Sequence, residues 1–96
     1  MDIRLDGKTA LITGGSDGLG LAMGLKFAES GASVILLARD KDRLNKAADL
    51  ISDSVKGTQV RVEIISADVK DSEQINQAWK ISKERFNQID ILVNNA

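Results

Sequence analysis

Gly14, Gly18 and Gly20 set the chemistry open to this chain. They stand in the stretch Lys8 to Gly20, KTALITGGSDGLG, where the apolar run Thr9 to Thr13 breaks into a glycine-rich turn and an amphipathic segment begins at once. A strand, a tight turn and a helix in that order present free backbone N–H groups to a phosphate. Gly14 turns the chain sharply as it leaves the strand. Gly18 lets backbone approach a pyrophosphate with no Cβ between them, and Gly20 lets the new helix pack close to a sheet. The competing reading is a plain glycine-rich loop, and the flanking strand and helix weigh against it.

Most other chemistry is closed. The 96 residues contain no His, Cys or Tyr, so imidazole, thiolate and phenol catalysis are impossible within them. A Ser-His-Asp triad is excluded, and so is a zinc site built on His or Cys. Acid–base work would fall to Asp, Glu or Lys. The hydrophobic fraction of 43% and charged fraction of 28% are those of an ordinary globular chain. A net charge of −1 gives no basic footprint for nucleic acid and no polybasic patch for a membrane surface. The opening MDIRLDGK is not a signal peptide, and no apolar run approaches the ~20 residues of a membrane span.

The elements that position the glycines follow from periodicity. Asp6-Gly7 is a turn into a first strand over Lys8 to Thr13. A helix from Gly18 to Ser30 is predicted, with Leu19, Ala22, Met23, Phe27 and Ala28 on its inner face and Gly31 as its stop. The second strand, Ser33 to Ala38, is nearly all apolar, as a parallel strand buried on both faces should be. Asp40 caps a helix over Lys41 to Val55, with Leu44, Ala47, Ala48, Ile51 and Val55 as its stripe. A third strand over Gln59 to Ser66 alternates at first and so belongs nearer a sheet edge. The third helix spans Ser72 to Phe86, with Ile75, Ala78, Trp79, Ser82 and Phe86 facing inward and Trp79 expected in the core. A fourth strand covers Asp90 to Val93.

This order, β-α-β-α-β-α-β, predicts an α/β fold. It is the Rossmann-like half of a doubly wound parallel sheet, with right-handed crossovers and strand order 3-2-1-4. Ligands of such sheets bind at the carboxyl ends of the strands. The glycine turn, Arg39, Asp68-Val69 and Asn94 to Ala96 all fall at such ends.

The residues Thr13-Gly14-x-x-x-Gly18-Leu19-Gly20, Asp68-Val69 and Asn94-Asn95-Ala96, with their spacing, resemble the short-chain dehydrogenase/reductase family over essentially the whole chain. The resemblance implies a nicotinamide dinucleotide cofactor. It implies that Gly14 to Gly20 hold the phosphates, with Ser16 and the Leu19 backbone in contact. Asp68 would bind the adenine amino group beside the Val69 backbone. Asn95 and Ala96 would line the ribose, and Asn94 would brace the central strands. Turn-capping alone is the plainer reading of Asp68 and the asparagines. Family members run to well over twice this length and carry a catalytic serine and a Tyr-x-x-x-Lys pair after the Asn-Asn-Ala segment. With no Tyr in the chain, residues 1–96 are expected to be the cofactor-binding half of a longer reductase, ending before the catalytic segment and inactive alone.

Cofactor choice turns on the end of the second strand. Enzymes that use NAD usually carry Asp or Glu there for the ribose 2′-hydroxyl. Here Ala38 is followed by Arg39, whose guanidinium suits a 2′-phosphate, so NADP is favoured over NAD. Asp17 opposes that choice by its charge, and a shift of two residues would bring Asp40 to the ribose instead. The expected function is thus the NADP-binding half of a cytoplasmic oxidoreductase. The alternatives are a stand-alone nucleotide-binding or interaction module, self-associating through an exposed fourth strand, and a methyltransferase half, which would want an acid where Arg39 stands.

Overall fold

The structure, a computed structural model, describes residues 4–16 and 18–95. The chain runs β1 (Thr9–Thr13), α1 (Gly18–Glu29), β2 (Ser33–Ala38), α2 (Lys41–Ser54), β3 (Val62–Ser66), α3 (Ser72–Phe86) and β4 (Ile91–Asn94). The strands make one parallel sheet in the order β3-β2-β1-β4, as apolar strands joined by helices require. Thr13 at the end of β1 lies opposite Leu37 of β2 on one side and Asn94 of β4 on the other.

β2 is apolar on both sides because both sides are covered. Val34, Leu36 and Ala38 meet Leu44, Ala47 and Ile51 of α2 and Ala28 of α1. Ile35 and Leu37 meet Ala78 of α3 on the opposite face. Each large side chain buried this way contributes about 1.5–3 kcal/mol. The helix ends are set by side chains that satisfy orphan backbone groups. Asp40 accepts from the Arg43 N–H, and Asp71 accepts from the N–H groups of Glu73 and Gln74. Gly31 follows α1 at a φ of 101°.

Three details depart from the hydrophobic pattern. Of the residues predicted for the inner face of α1, Ala28 is buried, but its buried partners are Gly20 and Gly24, and Leu19 is 66% exposed. The helix lies so close to the sheet that a Cβ on Gly24 would stand 3.0 Å from Ile51 Cδ1 and 3.2 Å from Leu36 Cδ2. Hydrophobic periodicity counts side chains and misses a seam made of their absence. Trp79 is not a core residue. α3 alone covers its face of the sheet, so Trp79 sits at the margin of that layer, 41% exposed, and Leu92 of β4 is 60% exposed. β3 starts at Val62 and not at Gln59, because the chain before it is a polar turn in which the Val60 N–H donates to Thr58 Oγ1.

β4 is shifted one residue along from its expected start. Asp90 pins its entry, its carboxylate accepting the Thr9 N–H at 2.9 Å and its own N–H donating to Thr9 O at 2.9 Å. Among the described residues no helix is long and apolar enough to cross a membrane.

Trp79 is the one tryptophan of the chain, so its emission reports its position directly. We expect acrylamide to quench the native fluorescence with at least half the efficiency seen in urea. A native chain strongly protected from quenching would return Trp79 to the core.

Candidate functional site

The carboxyl end of β1 is where the chain's backbones crowd together. Gly14 leaves the strand at a φ of 66°, and its N–H donates to Leu37 O at 2.7 Å. A Cβ on Gly14 would collide with the Asn95 carbonyl oxygen. One on Gly20 would collide with the Gly14 carbonyl oxygen and stand 2.8 Å from Asn95 Nδ2. Only glycine permits this convergence of turn, helix start and β4 end. Side chains then fasten it. The Asn95 N–H donates to Thr13 Oγ1 at 3.0 Å, and Asn95 Nδ2 donates to Gly14 O at 3.4 Å. The Thr13 hydroxyl lies 3.1 Å from Asn94 Oδ1 and 3.3 Å from Val93 O, and its single proton serves one of the two.

Beside the turn lies a cleft of about 240 Å³ between the ends of β2 and β3, lined by Gly14, Ser16, Ala38, Arg39, Asp40, Arg43 and Val69. Its charges are not equivalent. The Arg39 guanidinium makes no hydrogen bond or ion pair among the described residues, while its carbonyl accepts from Ser66 Oγ at 2.9 Å. The Asp40 carboxylate is engaged, with Oδ1 accepting the Arg43 N–H at 3.2 Å and Oδ2 lying 3.7 Å from Arg43 Nε. Arg43 went unnoticed in the sequence because it is buried in the charged run Lys41 to Lys46. The signal was there: a helix capped by Asp40 returns a first-turn side chain toward the strand end that precedes it.

The structure gathers Gly14, Ser16, Arg39 and Val69 around this cleft, and Asp68 adjoins it through Val69. Asn94 and Asn95 stand on the other side of Gly14. Gly18, Leu19 and Gly20 open α1 without lining the cleft. Ala96 and Asp17 lie outside the described residues. Among the described residues other hollows exist, including one of about 430 Å³ between the end of β3 and α3, lined by Ile65, Asp71, Gln74 and Ala78. Another of about 250 Å³ lies on the α3 side among Leu37, Val69, Trp79 and Leu92. A broader groove of about 650 Å³ opens at the opposite end of the sheet, near Arg4, Lys8 and Thr58, and none of the predicted site residues reaches it.

The cleft can hold an anionic group. Among the described residues the N–H groups of Gly15 and Ser16 donate to no protein acceptor. The first turn of any helix leaves further N–H groups unused. With the unpaired Arg39 beside them, these donors suit a phosphorylated nucleotide.

Comparison with known proteins agrees with this geometry. Residues 8–96 match the profile of the short chain dehydrogenase family. The chain is 38% identical over 94 residues to an uncharacterized oxidoreductase of Staphylococcus saprophyticus, covering 98% of this chain and 39% of that protein. L-Sorbose reductase from Gluconobacter frateurii, solved with NADPH and L-sorbose, superposes with a TM-score of 0.91 at 41% identity, covering all of this chain (100%) and 35% of that one. NAD+-bound xylitol dehydrogenase superposes with a TM-score of 0.90 at 30% identity, covering 97% of this chain and 34% of that one. The chain therefore spans little more than a third of the length of these relatives.

Gly20→Ala tests the crowding. In an open helix the change would stabilise by up to about 1 kcal/mol. Here we expect a loss of about 1–3 kcal/mol in urea unfolding, because the Gly14 carbonyl must move. A gain would mean that the turn and helix are not in contact.

Proposed function

This chain belongs to the short-chain dehydrogenase family, and on that premise we propose that residues 1–96 form the NADP-binding half of an oxidoreductase. The observation that carries the choice of NADP is the state of the charges after β2. The Arg39 guanidinium is unpaired among the described residues, and the Asp40 carboxylate is taken by the α2 cap. Asp40 has one oxygen in the cap and the other in an ion pair with Arg43, which competes with a ribose hydroxyl, whereas the unpaired Arg39 guanidinium is open to a phosphate. The fold alone does not choose, since relatives bound to NADPH and to NAD+ superpose about equally well.

In this reading the backbone from Gly14 to Gly20, with Ser16 and the Leu19 N–H, holds the pyrophosphate. Arg39 holds the 2′-phosphate, with Arg43 at the same rim. Asp68 and the Val69 backbone meet the adenine. Asn95 and Ala96 line the ribose, and Asn94 braces β4 through Thr13. A bound nicotinamide cofactor supplies the hydride exchanged with a carbonyl or alcohol carbon. No Tyr or His is present to move the accompanying proton, so we assign that step to a Ser and a Tyr-x-x-x-Lys pair outside residues 1–96. A cytoplasmic location goes with an intracellular cofactor.

A second reading, a nucleotide-binding module that self-associates, rests on β4. Its outer edge has no partner strand among the described residues, and Leu92 beside it is 60% exposed. Sedimentation of the chain at rising concentration tests this reading, which predicts dimers and an unassociated chain would defeat.

Titration calorimetry with NADP and NAD in parallel tests the first reading. One charge-assisted phosphate contact is worth about 1.5–3 kcal/mol, so NADP should bind roughly 10–100-fold more tightly than NAD. Arg39→Ala should erase that preference and leave NAD affinity within about threefold. Tighter binding of NAD would shift the assignment to Asp40.

A further inference from the structure

The segment that borders the cleft at Asp68 and Val69 is held from behind by one side chain, Gln74 on the first turn of α3. Gln74 Oε1 accepts the Asp68 N–H at 2.9 Å, and Gln74 Nε2 donates to Asp71 Oδ2 at 3.1 Å. The two partners fix the amide's orientation, because an N–H needs the carbonyl end and a carboxylate needs the NH2 end. Asp71 is itself immobilised as the α3 cap, its Oδ1 accepting from the N–H groups of Glu73 at 3.0 Å and Gln74 at 3.3 Å. The Asp71 N–H returns to Asp68 O at 3.0 Å. Asp68 Oδ1 is occupied by the Lys70 N–H at 2.9 Å, whereas Oδ2 has no partner among the described residues. The loop is therefore a closed circuit of hydrogen bonds that leaves one carboxylate oxygen available.

We propose that Gln74 is a positioning residue for recognition of the nucleotide base: by holding the Asp68 N–H to the capped start of α3, it aims the free carboxylate oxygen of Asp68 at an exocyclic amino group. The proposal rests on the cofactor reading above and adds to it the element that sets base selectivity. A purely structural role is a poor account of the arrangement. Gln74 is exposed, and water could satisfy the Asp68 N–H equally well if only its hydrogen bond mattered. What water cannot do is fix the loop's direction relative to α3.

The test compares NADP with its hypoxanthine analogue, which carries an oxo group where adenine has its amino group. The wild-type chain should prefer the adenine form by about tenfold or more, the value of one hydrogen bond to a charged acceptor. Gln74→Met should cut that preference to about threefold or less, with hypoxanthine-form affinity and the urea midpoint unchanged. The pair Asp71→Asn/Gln74→Glu exchanges donor and acceptor between the two side chains while keeping a good cap at 71, and should restore the preference. A Gln74→Met chain that retains the wild-type preference overturns the proposal alone, as does one that loses both ligands equally. A wild-type chain that binds neither ligand overturns the cofactor reading itself.

Discussion

At the end of β1 the carbonyl of Gly14 occupies the space that a side chain on Gly20 would need, and the Asn95 carbonyl, at the end of β4, occupies the space that a side chain on Gly14 would need. Most of the molecule follows from that contact. To bring Gly20 against the Gly14 carbonyl, α1 must lie low over the sheet. The residues next along its seam are then Gly24 and Ala28, both buried, and a Cβ on Gly24 would press on Ile51 and Leu36. Because α1 lies low, Ile51 of α2 and Leu36 of β2 can close over it and complete that layer of the core. The glycine turn is thus closely packed by backbone on two sides, and a change there is felt in stability.

β1 is held at both ends by β4. Asp90 exchanges hydrogen bonds with Thr9 at the start, and Thr13 gathers Asn94 and Asn95 at the finish. A register slip of one residue would put the apolar set of β4 on the wrong faces and move the asparagines away from Gly14. These polar clasps convert sheet pairing into site geometry. They bring Asn95 to the glycine turn, and the bond from the Gly14 N–H to Leu37 O brings the end of β2, with Arg39, to the same rim.

Strand order, helix limits to within a residue and the Asp40 cap were legible in the sequence, because burial on two faces, glycine stops and Asp before an apolar stripe each have one inexpensive structural solution; the Asp71 cap was not, since Asp71 stands in a polar corner. The glycine turn was legible for the same reason. What escaped was set by tertiary context. The inner face of α1 escaped because it is built from Gly20 and Gly24. The exposure of Trp79 escaped because periodicity shows which side of a helix is apolar but not how far a neighbour covers it. Arg43 and Gln74 were hidden among charged and polar residues that look like solvated helix surface. Their meaning appears only when the cap at Asp40 or Asp71 fixes which way the first turn of the helix begins.

The two edges of the sheet are treated differently, and the difference gives the molecule a direction. On β3, Glu63 receives Arg61 at 2.6 Å and Arg85 at 2.9 Å, and the Arg61 guanidinium lies 4.1 Å over the Phe86 ring. Charged side chains locked across an edge strand discourage further pairing. β4 carries no such device among the described residues. Its Leu92 is exposed, and the hollow beside it is walled by Leu11, Leu37, Ile75 and Trp79. Among the described residues β4 is therefore the sheet edge left open to pairing, with exposed apolar surface beside it. That edge ends at Asn94 and Asn95, on the side of Gly14 away from the cleft beside Arg39.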